Sequence, residues 1–187
     1  YEGFLEKFKP KKTTDDCYTP PTVYQAVLDY VVERYGIDPG SAMRPFYPGG
    51  DYENEEYPEG CCVVDNPPFS ILSRICAFYL SEHIPFFLFA PSLTCFAGAR
   101  TFMRMNHIVC DCDIEYENGA VVRTSFVTNM GDGSVVAESC PELSSRVNAE
   151  VERLKAEKTV SLPRYEYPDN IATAAMLTRY AKYGVAL

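Results

Sequence analysis

Two short, wholly apolar runs limit what this chain can fold into. Residues 61–64 read Cys-Cys-Val-Val and residues 85–90 read Pro-Phe-Phe-Leu-Phe-Ala, with no charge in either. Neither alternates between apolar and polar positions, as a strand with one wet face must. Both therefore predict strands covered on both sides, the pattern of a parallel sheet with helices packed on its faces. Between them, from Ser70 onward, Ile71, Leu72, Ile75, Phe78 and Tyr79 recur at helical spacing. Strand, helix and strand in this order predict parallel pairing through a right-handed crossover. The fold class expected is α/β.

The flanking segments extend that sheet. Thr19-Pro20-Pro21 opens a helix, with Thr19 as its expected cap. The face of that helix is Val23, Ala26, Val27, Tyr30 and Val31, and its stop is Gly36. Residues 40–60 are rich in Gly, Pro, Tyr and acid. They read as a loop, with five carboxylates and no base between Asp51 and Gly60. A strand is expected over 107–112. An antiparallel hairpin is expected where Ile114-Glu115-Tyr116 and residues 120–127 flank Glu117-Asn118-Gly119, because Asn-Gly favours the tight turn. Leu143, Val147, Val151 and Leu154 predict an amphipathic helix over 142–158, and a last helix is expected over 170–183. The reading is a single domain over 1–187, with a polar arm at 1–16 and a helical region at 140–187.

Charge and cysteine usage narrow the function classes. The net charge of −9 argues against a broad basic face that holds nucleic acid through its phosphates. Lys7, Lys9, Lys11 and Lys12 make the arm locally basic; it reads as a solvated tail or as a phosphate contact. The longest apolar run, 84–90, is far short of a membrane span, and the first twelve residues lack a signal-peptide core. Eight cysteines stand at 17, 61, 62, 76, 95, 110, 112 and 140, several inside apolar runs. They read as buried reduced thiols of a cytoplasmic protein. No metal site is expected, since there is no Cys-x-x-Cys and neither His83 nor His107 falls at finger spacing. His83 reads as a helix-end residue and His107 as structural. Ser70 has no His partner at recognisable spacing, and Gly49-Gly50 lacks the Lys-Ser/Thr of a phosphate loop. The segment 91–94 after the second strand reads as a loop or as a pocket border. The aromatic stretch 165–168 reads as core packing.

The chemistry concentrates where the first buried strand ends, at Asp65-Asn66-Pro67-Pro68-Phe69. Two prolines stiffen the backbone and bias each preceding residue away from helix. A rigid turn at the carboxyl end of a strand is where open α/β sheets place ligands. The Asn66 amide accepts and donates hydrogen bonds, and Phe69 offers a flat ring. An exocyclic amine gripped by an amide and a backbone carbonyl, with its heterocycle stacked on a ring, is set up for methyl transfer by positioning. No strong base is needed.

The segment 66–69 resembles the Asn/Asp-Pro-Pro-Tyr/Phe motif of adenine-specific DNA amino-methyltransferases. The compact phage-encoded members are the nearest subgroup, and the likeness spans roughly residues 14–95. The resemblance implies an abbreviated Rossmann-like methyltransferase sheet with flanking helices. It also implies S-adenosylmethionine as cofactor and DNA as partner. Asn66 and the Pro67 carbonyl would hold the amine of a flipped-out adenine, with Pro68 shaping the turn and Phe69 stacking on the base. Tyr18, Thr19 and Pro20 are similar to the segment lining the methionine end of the cofactor. Phe46, Gly49, Gly50 and Asp51, in the loop 44–51, are similar to the glycine loop that wraps it.

This chain departs from that pattern in three ways. Arg44 stands where the family carries an acid, and the loop glycines are adjacent. Asn66 follows Asp51 by only 15 positions, so the sheet is expected to be shortened. Asp51, Glu53 and Asp65 are the candidate acids for the cofactor ribose. The departures also fit a second expectation, a catalytically inactive binding protein on the same fold, taking a nucleotide or a protein partner.

Overall fold

The computed structural model describes residues 18–46, 50–98 and 101–158, and the isolated positions 174, 178 and 183. The basic arm, Cys17, Gly49, the 165–168 stretch and nearly all of 170–183 lie outside them. The chain divides into two compact units, Tyr1–Lys155 and Ala156–Leu187, and the six strands among the described residues belong to the first.

The protein is α/β. The strands are β1 (Ala42–Met43), β2 (Cys62–Asp65), β3 (Phe86–Pro91), β4 (Asn106–Glu115), β5 (Val121–Thr128) and β6 (Ala137–Ser139). They form one mixed sheet in the order β1-β2-β3-β5-β4-β6. β1, β2 and β3 are mutually parallel, with Val63 opposite Phe86 and Asp65 opposite Leu88. β5 runs antiparallel to both of its neighbours, and β6 is parallel to β4. Only β5 is therefore reversed. The carboxyl ends of β1, β2, β3 and β4 share one edge of the sheet.

Both apolar runs are covered on two sides. In β2, Cys62 and Val64 face one core, while Cys61, just before the strand, and Val63 face the other. In β3, Phe87 and Phe89 face the first core, and Phe86, Leu88 and Ala90 the second. The first core is closed by α1 (Pro21–Tyr35) through Val23, Val27, Tyr30 and Val31, and by α3 (Pro141–Lys158) through Leu143, Val147 and Val151. The second is closed by α2 (Leu72–Ser81) through Leu72, Ile75, Cys76 and Tyr79. The expected strand–helix–strand unit is present, and so is the hairpin, with Gly119 at φ 81°.

Several expectations are corrected. Thr19 does not cap α1: Pro20 occupies the cap position with no side-chain hydrogen bond. Proline at the first helical position presets φ and brings no N–H that needs a cap. Gly36 does end α1, at φ 68°, with its N–H on the Val32 carbonyl. The stretch 40–60 is not all loop, because it begins within a 3-10 turn at Pro39–Ser41 and contains β1. A 3-10 turn, Phe69–Ile71, precedes α2, and Ile71 is left 37% exposed rather than on its buried face. β4 is longer than expected and shifts register between Ile108 and Cys112. β6 is an addition to the strands expected from the sequence. His107 is buried, with Nδ1 2.8 Å from the Cys95 carbonyl oxygen and Nε2 3.2 Å from that of Phe102, a structural role. Cys61, Cys62, Cys76, Cys95, Cys110, Cys112 and Cys140 are buried free thiols. Among the described residues, no helix is long and apolar enough to cross a membrane, and no His/Cys/Asp/Glu cluster could hold a metal.

Candidate functional site

The site is built on the edge where the parallel strands end. β1 and β2 are adjacent and parallel, so the loop leaving Met43 and the turn leaving Asp65 emerge side by side. Asp65 ties them together. Its Oδ1 accepts from Arg44 Nε at 3.3 Å and from the Asn66 amide at 2.9 Å, and its Oδ2 accepts from the Phe46 amide at 3.0 Å. The side chain is 4% exposed. Burial pushes its carboxyl above the usual range, and the Phe46 and Asn66 amides and Arg44 oppose that rise. Arg44 lies 3.8 Å over the ring of Tyr24 from α1, a cation–π contact that fixes the guanidinium. Burial also raises the Tyr24 phenol to about 12, so it stays neutral.

The turn itself is rigid. Asn66 and Pro67 are buried, while Pro68 and Phe69 are half-buried. Pro68 holds φ −55° and ψ 118°, and its carbonyl accepts from Ile71 at 3.3 Å, leading into the 3-10 turn and α2. The Phe69 ring meets Tyr116 edge-on, 6.2 Å between centroids at 79°. Tyr116 is fully buried, and its hydroxyl is 3.1 Å from Thr124 Oγ1 across the hairpin. The next residue, Glu117, donates its amide to the Tyr18 carbonyl at 3.1 Å. Tyr18–Pro20, Asn66–Phe69 and the hairpin tip thus converge on one edge. Thr19 is 4% exposed, and its Oγ1 has no hydrogen-bond partner among the described residues.

Other expected site residues take different duties. Phe46 turns its ring into an aromatic cluster, 5.6 Å from Tyr52 and 6.4 Å from Tyr79, and only its amide faces Asp65. Asp51 is exposed and folds onto its own turn, accepting from Asn54 Nδ2 at 2.7 Å and the Glu53 amide at 3.2 Å. Those donors hold its carboxyl below the usual range. Glu53 pairs with Arg74 of α2 at 2.6 Å and accepts from the Tyr52 hydroxyl at 3.1 Å. All three candidate ribose acids are therefore engaged by the protein itself. Gly50 is described and half-buried; Gly49 lies outside the described residues.

Sequence reasoning missed Arg44, Tyr24 and Tyr116 as builders of this edge. Arg44 read only as a departure from a motif. The signal for it was Asp65, an acid that ends a buried strand and needs a partner there. Comparison with family models, with curated proteins and with solved structures gives no match.

Proposed function

We propose that this protein transfers a methyl group from S-adenosylmethionine to the exocyclic amine of adenine in DNA. One observation carries the reading: the Asn66–Phe69 turn stands beside the loop leaving β1, locked to it by Asp65. That is the juxtaposition a base-gripping amide and a cofactor loop require. The orphaned Thr19 hydroxyl, on the segment beside the hairpin tip, fits the polar end of a bound cofactor. Tyr18, Thr19, Pro20 and Gly50 would line that cofactor, which when bound supplies an electrophilic sulfonium methyl. Asn66 accepts a hydrogen from the target amine and turns its lone pair outward. The prolines hold that amide in place, and Phe69, braced by Tyr116, stacks on the base.

A second reading is favoured by the three engaged acids. With Asp51, Glu53 and Asp65 committed to internal partners, the chain has the form of a non-catalytic binding protein on this sheet.

Calorimetric titration with S-adenosylmethionine, followed by methyl incorporation into adenine-containing DNA, decides between the two. Micromolar cofactor binding and transfer that is lost in Asn66→Ala support the enzyme. An Asn66→Ala variant with full activity overturns the role of Asn66. No binding at millimolar cofactor overturns the enzyme and leaves the binding protein.

A further inference from the structure

The loop that leaves β3 carries an apolar side chain that no packing explains. Leu93 is 96% exposed, more than any other large hydrophobic residue among those described. The chain on either side of it is nonetheless held firmly. The Thr94 amide donates to the Pro91 carbonyl at 3.0 Å, closing a tight turn with Leu93 at its third position. On one side, the Ser92 amide donates to the Arg123 carbonyl at 2.8 Å, and the Ser92 hydroxyl lies 2.7 Å from Ser125 Oγ. On the other, Cys95 is buried, and its carbonyl oxygen is 2.8 Å from Nδ1 of the buried His107. Phe96 sets its ring edge-on to His107 and Phe102, with centroids 5.4 and 5.6 Å away. A bare leucine is thus presented on a fixed turn.

Its place in the fold gives it a target. β2 and β3 are adjacent and parallel, about 4.8 Å apart. β2 ends at Asp65, opposite Leu88, while β3 runs on to Pro91. The chain bearing Leu93 therefore leaves the sheet beside the Asn66–Phe69 turn, and about 10 Å further along at roughly 3.3 Å per residue. In a chain of net charge −9, residues 84–99 carry no charge, so no carboxylate on this loop repels a phosphate backbone.

A duplex releases a base only by giving up its stacking and pairing. An apolar side chain inserted between base steps fills the gap and offsets that loss. We propose that Leu93 is this wedge, entering the duplex as the target adenine swings out towards Asn66 and Phe69. The inference rests on the methyl-transfer reading and adds to it the step that delivers the base. A preformed turn suits the task, because a mobile one would have to be ordered at the moment of insertion.

The test assays the full chain and its Leu93→Ala and Leu93→Met variants for methyl incorporation into mixed-sequence duplex DNA free of adenine methylation, and into the same DNA heat-denatured. In the denatured DNA the adenine is already unpaired, and a wedge has nothing to open. Leu93→Ala is expected to keep the melting temperature and to lower the duplex-to-denatured ratio about tenfold, while Leu93→Met, still able to wedge, holds it. Without cofactor, a duplex carrying 2-aminopurine in place of some adenines should brighten as the wild-type chain unstacks it, and brighten less with Leu93→Ala. If the wild-type chain transfers methyl groups but the ratio is unchanged in Leu93→Ala, or the duplex does not brighten, the wedge alone is overturned. Absence of transfer to either form of DNA overturns the methyl-transfer reading and the wedge with it.

Discussion

Arg44 and Asp65 meet at 3.3 Å across the ends of two adjacent parallel strands, with the guanidinium lying on the ring of Tyr24. The pair is lopsided: Asp65 is buried and Arg44 is 45% exposed. Breaking it leaves a buried carboxylate on two backbone amides. Arg44→Met keeps a stem over Tyr24 and removes the charge. It is expected to lose about 1–2 kcal/mol at neutral pH, between the values for an exposed and a fully buried pair. The pH dependence has a definite sign. Asp65 is raised above 3.8 in the folded state, so folding disfavours its charged form. That penalty is fully present above the folded pKa, and it is relieved as pH falls through that value towards 3.8. The deficit of Arg44→Met therefore shrinks on acidification and is absent in an Asp65→Asn background. Urea titrations at several pH values measure it; a deficit that grows with acid would contradict the assignment.

How much of this edge the sequence disclosed follows from which interactions are local. The Asn66–Phe69 turn, the two buried strands and the hairpin were legible, because each is marked within ten residues by prolines, an apolar run or Asn-Gly. β1 and β6 were not, being two and three residues long with no fully buried position to give a period. The Arg44–Asp65 pair spans 21 positions and exists only because β1 registers on β2, with Met43 opposite Val63. Thr19 reads as a cap from composition, but the two prolines after it take over the helix start.

The acidic loop after β1 is held by tyrosines as well as by the Glu53–Arg74 pair. The Tyr57 hydroxyl donates to the Tyr52 carbonyl at 2.8 Å, so its contact with the Tyr79 hydroxyl at 3.0 Å has Tyr79 as donor. Tyr79 is fully buried, and burial together with that contact raises its phenol well above the usual range. Tyr57→Phe removes two hydrogen bonds and leaves the Tyr79 O–H buried without an acceptor. It should cost about 2–3 kcal/mol, whereas Tyr79→Phe removes one bond and should cost about 1 kcal/mol. A double-mutant cycle by thermal unfolding checks the order and the coupling; losses that simply add in the double variant would mean that the hydroxyls are not coupled.

Phe69 depends on the hairpin, since its ring leans on Tyr116 just before the Asn-Gly turn. Gly119 sits at φ 81° with nothing within 4 Å of an added Cβ, so Gly119→Ala is strained by backbone conformation alone. The expected loss is about 1–2 kcal/mol. If Phe69 stacks on substrate, the same change lowers methyl transfer by disturbing its brace, with cofactor affinity unchanged. Phe69→Leu should lower the rate further with less effect on stability than Gly119→Ala. A fall in cofactor affinity in either variant would place Phe69 on the wrong ligand.

The thiols report whether the edge is rigid. Cys62 begins β2, the strand that leads into the Asn66 turn, and is 1% exposed; burial pushes its thiol up to about 12. Cys76 in α2 is also raised to about 12, and Cys95 to about 11. Because the thiolate is the reactive form, all three should resist alkylation at neutral and mildly alkaline pH, for lack of access as well as of charge. Labelling followed by peptide mass spectrometry should find them modified only as urea unfolds the chain, in step with loss of the far-ultraviolet signal. Fast labelling of Cys62 in the native protein would mean that β2 opens at rest. An amide on a turn whose supporting strand opens cannot hold an amine to the fraction of an ångström that positional catalysis demands, so that result would count against the enzyme before any assay of transfer.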